Sequence, residues 1–387
     1  MRVMVVTDQY EPMVGGVTAV TRGLARGLAE RGHTVAVVAP SPCLRGGRRT
    51  DGRVSITLRG SLRWPWYDGM RLGCLPAAAA GTLIASFAPD VAHIHSPVTL
   101  GITTRIAARR QRVPVVYTNH YLPANVRGSA PGRPGVLDAL FYRYVVGFSN
   151  RCSHVTAPTA TGLGLLRDHG LRAPSGVVSN GIDLHRYSPG PADGRLRRRY
   201  GLPAGRPLVL SVGRLSQEKR LGVLLDAAAR TDPGVQVAIA GAGPDGPRLR
   251  AHASRLGLTA RVRFLGLVPE ADLPGLYRLA DVFAIASEAE LQSLATMEAM
   301  ATGLPVVAVN AGALGELVRD GENGFLVGPG DAAGMAARLD QLSGDPAGRR
   351  AMSAASARIV APHDRDRCLT TWESLYRALR PSRTGEA

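Results

Sequence analysis

Two glutamates separated by seven residues, Glu290 and Glu298, have the spacing in this 387-residue chain that most directly suggests chemistry. Ser293 lies between them, after an apolar strand-like run, and predicts the N-cap of a helix that begins near Leu294. The backbone amides of Leu294 and Ala295 would then face outward from the positive end of that helix, which suits a diphosphate. Carboxylates accept hydrogen bonds from neighbouring hydroxyls, so Glu290 would face a sugar and Glu298 a ribose. The alternative is an ordinary strand-to-helix turn with two solvated acids.

A single lysine is the second unusual feature. The chain has 47 lysines and arginines, and only Lys219 is a lysine. A lysine carries a compact ammonium on a flexible stem, whereas an arginine is a broad planar fork, so the two are not interchangeable in a tight space. Lys219 follows Gly213-Arg214 at the start of a predicted helix, which indicates a site for a point charge. Chance survival on a solvated helix face is the alternative.

The composition limits the class of protein. A hydrophobic content of 45% and a charged content of 20% indicate a folded chain, and the length predicts two domains. The net charge of +17 predicts attraction to polyanions, although the arginine bias is also typical of a GC-rich genome. The four cysteines lack metal-ligand or redox spacing and are expected to be reduced thiols. An apolar strand follows Met1-Arg2 directly, so no signal peptide is expected.

Strands and helices alternate along the chain. Continuous Val, Ile and Ala runs predict parallel strands buried on both faces, so the fold class is α/β with two doubly wound Rossmann-like domains facing across a cleft. The predicted division is a first domain at 1–187, a linker at 188–206 and a second domain at 207–363. A final helix at about 364–381 is expected to pack back on the first domain. Predicted strands lie at 2–7, 34–39, 54–58, 90–95, 114–119, 154–158, 176–179, 207–212, 235–240, 262–265, 282–286, 305–309 and 325–327.

The string from Glu290 to Glu298, with Gly303-Leu304-Pro305 after it, resembles the E-x7-E signature of the family 4 retaining glycosyltransferases. The resemblance covers nearly the whole chain and implies the GT-B fold. It implies that the first domain, 1–187, binds the acceptor and that the second domain, 207–363, binds the nucleotide sugar. It also implies that Gly213, Arg214 and Lys219 belong to the segment that clamps the donor diphosphate. In the family, the stretch after Phe264-Leu265-Gly266 lies near the nucleotide base, which implicates Leu267.

In the first half, the family resemblance concerns a glycine pair and a histidine. Gly15 and Gly16 precede a helix, where glycine lets the backbone come close to a ligand and the helix end favours an anion. His120 follows a predicted strand and matches the family histidine near the donor sugar and the bond being broken. His93 and His95 lie at the end of another predicted strand and are interpreted as satisfied polar residues. At i and i+2 they could bind a metal, but no third ligand is evident in the sequence.

The chain departs from the family after the first glutamate. A Gly-Phe-Gly-like stretch is usual there, and this chain has Leu291-Gln292-Ser293. Backbone amides can still bind phosphate, so Gln292 and Ser293 remain candidate substrate-binding residues together with Leu294 and Ala295. The local string is similar to the Glu-Thr-Gln-Gly form of diacylglycerol glucosyltransferases.

The resemblance implies transfer of a hexose from a UDP- or GDP-linked sugar to a hydroxyl, with retention at the anomeric carbon. The resemblance implies that no metal is needed. It also implies no resident cofactor, because the nucleotide sugar is a substrate. Arg214, Lys219 and the helix capped by Ser293 would then meet the charge of the leaving diphosphate. His120 and Glu290 would complete the catalytic group. Without an evident carboxylate nucleophile, front-face attack is favoured.

The acceptor is less well defined. Aromatic residues beside arginines at 63–71 and 140–151 are typical of a membrane interface, which favours a lipid acceptor and a peripheral enzyme on the cytoplasmic face of the plasma membrane. Core aromatics beside a solvated basic face would produce the same pattern. A soluble acceptor, such as a natural-product scaffold or a sugar alcohol, is the alternative, and a nucleotide-sugar epimerase of the same fold is a third. No aromatic-interleaved nucleic-acid motif is present, so nucleic acid is not expected as a partner.

Overall fold

The chain divides into two compact units. A computed structural model describes residues 1–64, 70–124 and 134–380. The first unit comprises residues 1–181 together with the C-terminal residues from Asp366, and the second comprises Ile182–Arg365. The chain therefore passes from one unit to the other twice, at residues 181–182 and 365–366.

The first unit is built on a largely parallel sheet. Its strands are β1 (Arg2–Val6), β2 (Thr34–Pro40), β3 (Gly47–Asp51), β4 (Val54–Arg59), β5 (Ser61–Arg63), β6 (Arg71–Gly73), β7 (Val91–Ile94), β8 (Val115–Thr118), β9 (His154–Ala157) and β10 (Ser175–Val177). Eight of these form one sheet in the order β10-β9-β8-β7-β1-β2-β4-β3, in which β3 is antiparallel to β4, and β5 pairs with β6 separately.

The second unit has a six-stranded parallel sheet. Its strands are β11 (Leu208–Val212), β12 (Gln236–Ala240), β13 (Val262–Gly266), β14 (Val282–Ile285), β15 (Val306–Val309) and β16 (Gly324–Val327). The order is β13-β12-β11-β14-β15-β16, so the winding direction reverses between β11 and β14. Ligands of open parallel sheets bind beyond the carboxyl ends of the strands at such a reversal.

Helices flank both sheets. They are α1 (Gly16–Glu30), α2 (Ala77–Phe87), α3 (Thr99–Arg110), α4 (Pro134–Ser149), α5 (Ala160–Asp168), α6 (Gly194–Arg199), α7 (Leu221–Ala228), α8 (Gly246–Arg255), α9 (Leu273–Leu279), α10 (Leu294–Ala301), α11 (Leu314–Leu317), α12 (Ala332–Gly344), α13 (Pro346–Val360) and α14 (Arg365–Leu379), with 3-10 turns at Gln217–Lys219 and Ala361–His363. The predicted parallel strands agree with the structure to within about two residues, and the α/β class with two Rossmann-like units is confirmed.

The C-terminal helix belongs to the first unit. Leu369, Trp372 and Tyr376 of α14 are buried in the same apolar cluster as residues of β1, β2 and α1. Polar contacts hold the same helix, because the Nε2 of His33 lies 2.8 Å from the Oε1 of Glu373. An amphipathic helix with one apolar face is stable only when that face is covered, which explains why α14 packs on this sheet.

The segment 188–206, predicted as a linker, is instead folded into the second unit. Leu196 of α6 and Leu202 are buried in the cluster that contains Leu276 and Phe283. The Arg197 guanidinium also donates to the Leu279 carbonyl at 3.1 Å. The proline- and glycine-rich composition thus indicated a segment that runs along the surface. Burial of Leu196 and Leu202 nevertheless attaches this segment to the core of the second unit.

Candidate donor site

The strands on either side of the winding reversal carry the main sequence-predicted residues. Gly213, Arg214 and Lys219 follow β11, and Glu290 and the N-terminus of α10 follow β14. β11 and β14 are neighbouring parallel strands, with Val209 opposite Val282. Their carboxyl ends therefore meet at one edge of the sheet, and two segments about 70 residues apart in sequence face each other there.

Lys219 and Glu290 form an ion pair. The Nζ of Lys219 lies 2.6 Å from the Oε1 of Glu290, and Glu290 is only 8% exposed. Lys219 ends the 3-10 turn, where its amide donates to the Ser216 carbonyl at 3.0 Å. The helix predicted to begin at 220 starts one residue later, after Arg220 in a left-handed backbone conformation. The lone lysine is thus directed at the first glutamate, and it does not lie on a solvated helix face.

Arg214 is held beside the same turn. Its Nη2 donates to the Oε1 of Glu218 at 3.1 Å, and the Ser216 hydroxyl donates to that oxygen at 2.6 Å. Although burial acts in the opposite direction, the hydrogen bonds from Ser216 and Arg214 keep the pKa of Glu218 below its ordinary value. Glu218 is therefore a carboxylate at neutral pH and fixes the guanidinium next to Lys219.

Ser293 caps α10 as predicted. Its hydroxyl accepts a hydrogen bond from the Thr296 amide at 3.2 Å, and the helix begins at Leu294. Among the described residues, no hydrogen bond uses the amides of Leu294 and Ala295. The first amides of a helix have no partner within it, and the helix dipole favours an anion there. The geometry suits the predicted diphosphate contact, which stays a prediction.

Gln292 is turned toward the end of the second unit. Its side chain is buried, and its Nε2 lies 3.5 Å from the Nδ1 of His363, which is in the 3-10 turn Ala361–His363. The chain leaves the second unit just beyond this turn, at residues 365–366. This contact engages only the Nε2 of the side-chain amide, and the substrate contact expected of Gln292 stays a prediction.

Two tyrosines hold Glu298. The Tyr277 hydroxyl donates to its Oε2 at 2.7 Å, and the Tyr187 hydroxyl bonds the same carboxyl. Burial raises the pKa of Glu298 to about 7, even though both hydrogen bonds act to lower it. Each carboxylate oxygen has two acceptor positions, so these bonds leave capacity for a ribose hydroxyl. The sequence analysis missed both tyrosines, because they are 21 and 111 residues away from Glu298 along the chain.

The raised pKa predicts a pH-dependent stability. The folded state keeps a proton on Glu298 at pH values where the unfolded chain has released it, so the Glu298 contribution to the free energy of unfolding falls as pH rises toward about 7 and is constant above that. Glu298→Gln should therefore gain stability relative to the wild type between about pH 5 and about pH 8. Urea unfolding of both proteins across that range measures the difference, and a difference that does not change with pH contradicts the assignment.

Leu267 is 65% exposed, directly after Gly266 at the end of β13. Gly266 has a φ of +70°, a conformation that glycine adopts without strain. The turn leaves an apolar side chain outside the core, at the carboxyl edge of the sheet. This placement agrees with the expected contact to a nucleotide base, which stays a prediction.

Glycines allow the two site segments to come close to neighbouring backbone. A Cβ on Gly241 would lie 1.8 Å from the Gly213 carbonyl oxygen, and a Cβ on Gly312 would lie 2.6 Å from the Glu290 carbonyl oxygen. Gly312 also has a φ of +57°, and the Ala313 amide bonds the Glu290 carbonyl at 2.9 Å. The position of the Glu290 loop thus depends on a glycine at 312.

Gly312→Ala should therefore displace the Glu290 loop. A left-handed alanine alone costs about 1–3 kcal/mol of stability, and the contact with the Glu290 carbonyl adds to it. Gly330→Ala is the matched control, because Gly330 has a φ of +75° but an added Cβ there meets nothing within 4 Å. Both variants should lose thermal stability, whereas only Gly312→Ala should lose transfer activity. Equal activities of the two variants would contradict this role of Gly312.

The first unit carries the remaining candidates, again at carboxyl ends of strands. Gly15 precedes α1, which begins at Gly16, and a Cβ on Gly15 would meet nothing within 4 Å. Internal packing therefore does not require this glycine, which agrees with the predicted approach of a ligand. His120 follows β8, and its Nε2 lies 2.9 Å from the Nδ1 of His95, which follows β7. Burial lowers the pKa of His120 to about 4, so its imidazole is neutral at physiological pH.

Comparison with known proteins agrees with this arrangement. The family model described as Glycosyltransferase Family 4 matches residues 14–186, and the one described as Glycosyl transferases group 1 matches residues 193–358. The D-inositol 3-phosphate glycosyltransferase of Mycolicibacterium smegmatis is 33% identical over 95% of this chain and 88% of its own length. The GDP-mannose-dependent alpha-mannosyltransferase of the same organism is 32% identical over 84% of each chain.

A lipid enzyme and a solved structure extend the comparison. The alpha-monoglucosyldiacylglycerol synthase of Streptococcus pneumoniae is 28% identical over 89% of this chain and 79% of its own. The structure of sucrose-phosphate synthase from Thermosynechococcus elongatus matches 98% of this chain and 99% of its own with a TM-score of 0.81 at 21% identity. The fold is GT-B, and the chain belongs to the family 4 glycosyltransferases. The family indicated by the E-x7-E string is thereby confirmed, and the protein is a hexosyltransferase.

Proposed function

We propose that the enzyme moves a hexose from a UDP- or GDP-linked sugar to a hydroxyl, with retention at the anomeric carbon and without a resident cofactor. One observation carries the proposal: the Lys219 ammonium lies 2.6 Å from Glu290 at the winding reversal of the nucleotide-sugar unit. The relative from Mycolicibacterium smegmatis that uses GDP-mannose supports a nucleotide-sugar donor. Glu290 accepts hydrogen bonds from the sugar hydroxyls, and Glu298 accepts one from the ribose.

The charge of the leaving group determines the roles of the cations. As the bond between the anomeric carbon and the diphosphate oxygen breaks, negative charge grows on the diphosphate. Lys219, Arg214 and the amides at the start of α10 stabilise that charge, and each such preorganised donor contributes about 3–4 kcal/mol. The acceptor oxygen forms its bond to the anomeric carbon on the same face, and its proton passes to the departing phosphate oxygen.

We propose a membrane lipid as the acceptor and the cytoplasmic face of the plasma membrane as the location. Val136, Leu140 and Tyr144 recur every fourth residue on α4 and are 58%, 55% and 46% exposed, with Arg143 on the same helix. An exposed apolar stripe beside a cation is typical of a helix that rests on an anionic lipid surface. The diacylglycerol relative supports the same class of acceptor. None of the described helices is long and apolar enough to cross a membrane.

Some of the aromatic residues that favoured a membrane interface belong instead to the core of the first unit. Tyr142 and Phe148 are buried, and Phe148 packs in the apolar cluster of the first sheet. Trp66 and Tyr67 lie outside the described residues. The lipid proposal therefore rests on the exposed apolar stripe of α4 with Arg143 beside it, because Asp138 balances the charge of that helix.

Vesicle flotation tests the membrane part. The wild type should float with vesicles that contain anionic phosphatidylglycerol at low salt, and the double variant Val136→Ser/Leu140→Ser should float less. Leu44→Ser is the control, because Leu44 is also exposed in the first unit but lies outside the stripe. Equal flotation of the two variants, or none for the wild type, would exclude this surface.

A soluble sugar-alcohol acceptor is the second candidate, favoured by the 33% identity to a D-inositol 3-phosphate glycosyltransferase. A screen of UDP- and GDP-sugars against diacylglycerol and inositol phosphates, with mass detection, distinguishes the two. A glycosylated lipid supports the leading proposal, and a glycosylated inositol phosphate replaces it. The same donors without acceptor test for epimerisation at C2 of the sugar, which would instead identify an epimerase.

A further inference from the structure

His95 and His120 lie side by side at the carboxyl edge of the first sheet. β7 and β8 are neighbouring parallel strands, with Ile94 opposite Tyr117, and each histidine follows one of them. The Nδ1 of His95 lies 2.9 Å from the Nε2 of His120, and the two rings are stacked with a centroid separation of 5.1 Å and an interplanar angle of 11°. The sequence pattern favoured a satisfied polar role for His95.

Burial fixes which nitrogen of His95 carries the proton. His95 is completely buried, and burial lowers its pKa well below the ordinary value, so the ring is neutral. None of the described residues bonds its Nε2. A proton on Nε2 would bury a donor without an acceptor, which is rare in proteins because the donor loses its bond to water. A proton on Nδ1 is satisfied by His120, so His95 is the donor of the pair.

The tautomer of His120 follows from that bond. Its Nε2 accepts from His95, so in the neutral ring the proton is on Nδ1. His120 is half-buried, and none of the described residues bonds its Nδ1. We propose that His95 is a positioning residue that holds His120 in the Nδ1–H tautomer, so that His120 presents an N–H donor to an oxygen of the nucleotide sugar. This inference rests on the proposed function and on the family resemblance, which implies that His120 lies near the donor sugar.

His93 contacts His95 and restricts the position of the His95–His120 pair. Its Nδ1 lies 2.6 Å from the Tyr376 hydroxyl, and its Nε2 lies 2.7 Å from the Thr118 hydroxyl. The centroid of its ring is 4.0 Å from that of His95. With both nitrogens bonded, the His93 ring is fixed and limits rotation of the His95 ring. A rigid second layer of this kind is what keeps a ligand-binding imidazole in one orientation.

Two substitutions at position 95 separate the hydrogen bond from the packing. His95→Leu fills the space but removes the donor, and should lower kcat/KM for hexosyl transfer by about tenfold or more. His95→Asn places an amide N–H where Nδ1 lies and should restore most of that loss. His154→Leu replaces another histidine of the same sheet that has no part in the pair, and should keep wild-type activity.

NMR of the ¹⁵N-labelled histidine rings reads the tautomer directly, with the His120 signals assigned through His120→Asn. The wild type and His95→Asn should show His120 protonated on Nδ1, and His95→Leu should show loss of that preference. A wild-type His120 protonated on Nε2 would overturn the inference, as would a folded His95→Asn variant no more active than His95→Leu. A wild type that transfers no sugar would instead overturn the proposed function, because the ring spectra are recorded without turnover.

Discussion

Replacing Lys219 by alanine should lower kcat/KM for hexosyl transfer by about 100-fold or more, the effect of removing one preorganised donor from a developing anion. The Nζ of Lys219 lies 2.6 Å from Glu290, and Glu218 of the same turn holds Arg214. The ammonium is therefore placed to meet the leaving diphosphate. Steady-state transfer assays with the donor identified by the screen measure the effect.

Lys219→Arg is the sharper variant, because it keeps the charge and changes its shape. A planar guanidinium cannot occupy the position of a compact ammonium 2.6 Å from a buried carboxylate without moving one of them. We expect Lys219→Arg to lose most of the activity as well. Full activity of the arginine variant would show that only the charge matters at this position.

An adjacent ion pair supplies the control. Arg220 and Glu288 lie next to Lys219 and Glu290 on the same two segments, and the Nε of Arg220 is 3.2 Å from the Oε1 of Glu288. Arg220 is 56% exposed at its side chain, and exposed ion pairs contribute little to stability. Arg220→Gln should therefore keep activity close to wild type. A loss equal to that of Lys219→Ala would mean that the loop responds to any lost charge and that Lys219 has no special role.

Glu290→Gln should also remove most of the transfer activity, for a different reason. The amide keeps the shape of the side chain but replaces charge-assisted hydrogen bonds to the sugar hydroxyls with neutral ones, which are about half as strong. It also leaves Lys219 without its carboxylate partner, so the ammonium remains available to a diphosphate. The variant should therefore lose kcat while binding the nucleoside diphosphate at least as well as the wild type.

Diphosphate binding, measured separately from kcat, distinguishes the role of Lys219 from that of Glu290. Lys219 variants should weaken diphosphate binding, whereas Glu290→Gln should not, and Glu288→Gln should change neither. Thermal unfolding of each purified variant shows whether the fold is intact. Near-normal turnover of folded Glu290→Gln would contradict the sugar contact assigned to Glu290.

Local sequence patterns predicted the parallel strands and the start of α10, because these features depend on residues that are close together in sequence. Buried apolar runs located the parallel strands, and Ser293 located the start of α10 within one residue. These features could be predicted because a strand buried on both faces and a helix cap each impose a residue type at a fixed position. β3 was missed because Gly47–Asp51 is a mostly exposed polar edge strand without an apolar pattern.

The partners of the site residues could not be predicted, because they are distant in sequence. The bond from Tyr277 to Glu298, the contact of Gln292 with His363 and the ring pair of His95 and His120 span 21, 71 and 25 residues. Each is set by which strands and helices become neighbours. The side-chain identities carry no sign of the pairing.

Binding of UDP and GDP to the wild type and to Lys219→Ala, measured by calorimetry, tests most directly whether Lys219 holds the donor diphosphate. A charge-assisted hydrogen bond contributes about 1.5–3 kcal/mol, so the wild type should bind one of the two nucleotides at least about tenfold more tightly than Lys219→Ala. Equal affinity of a folded Lys219→Ala variant and the wild type would contradict this role.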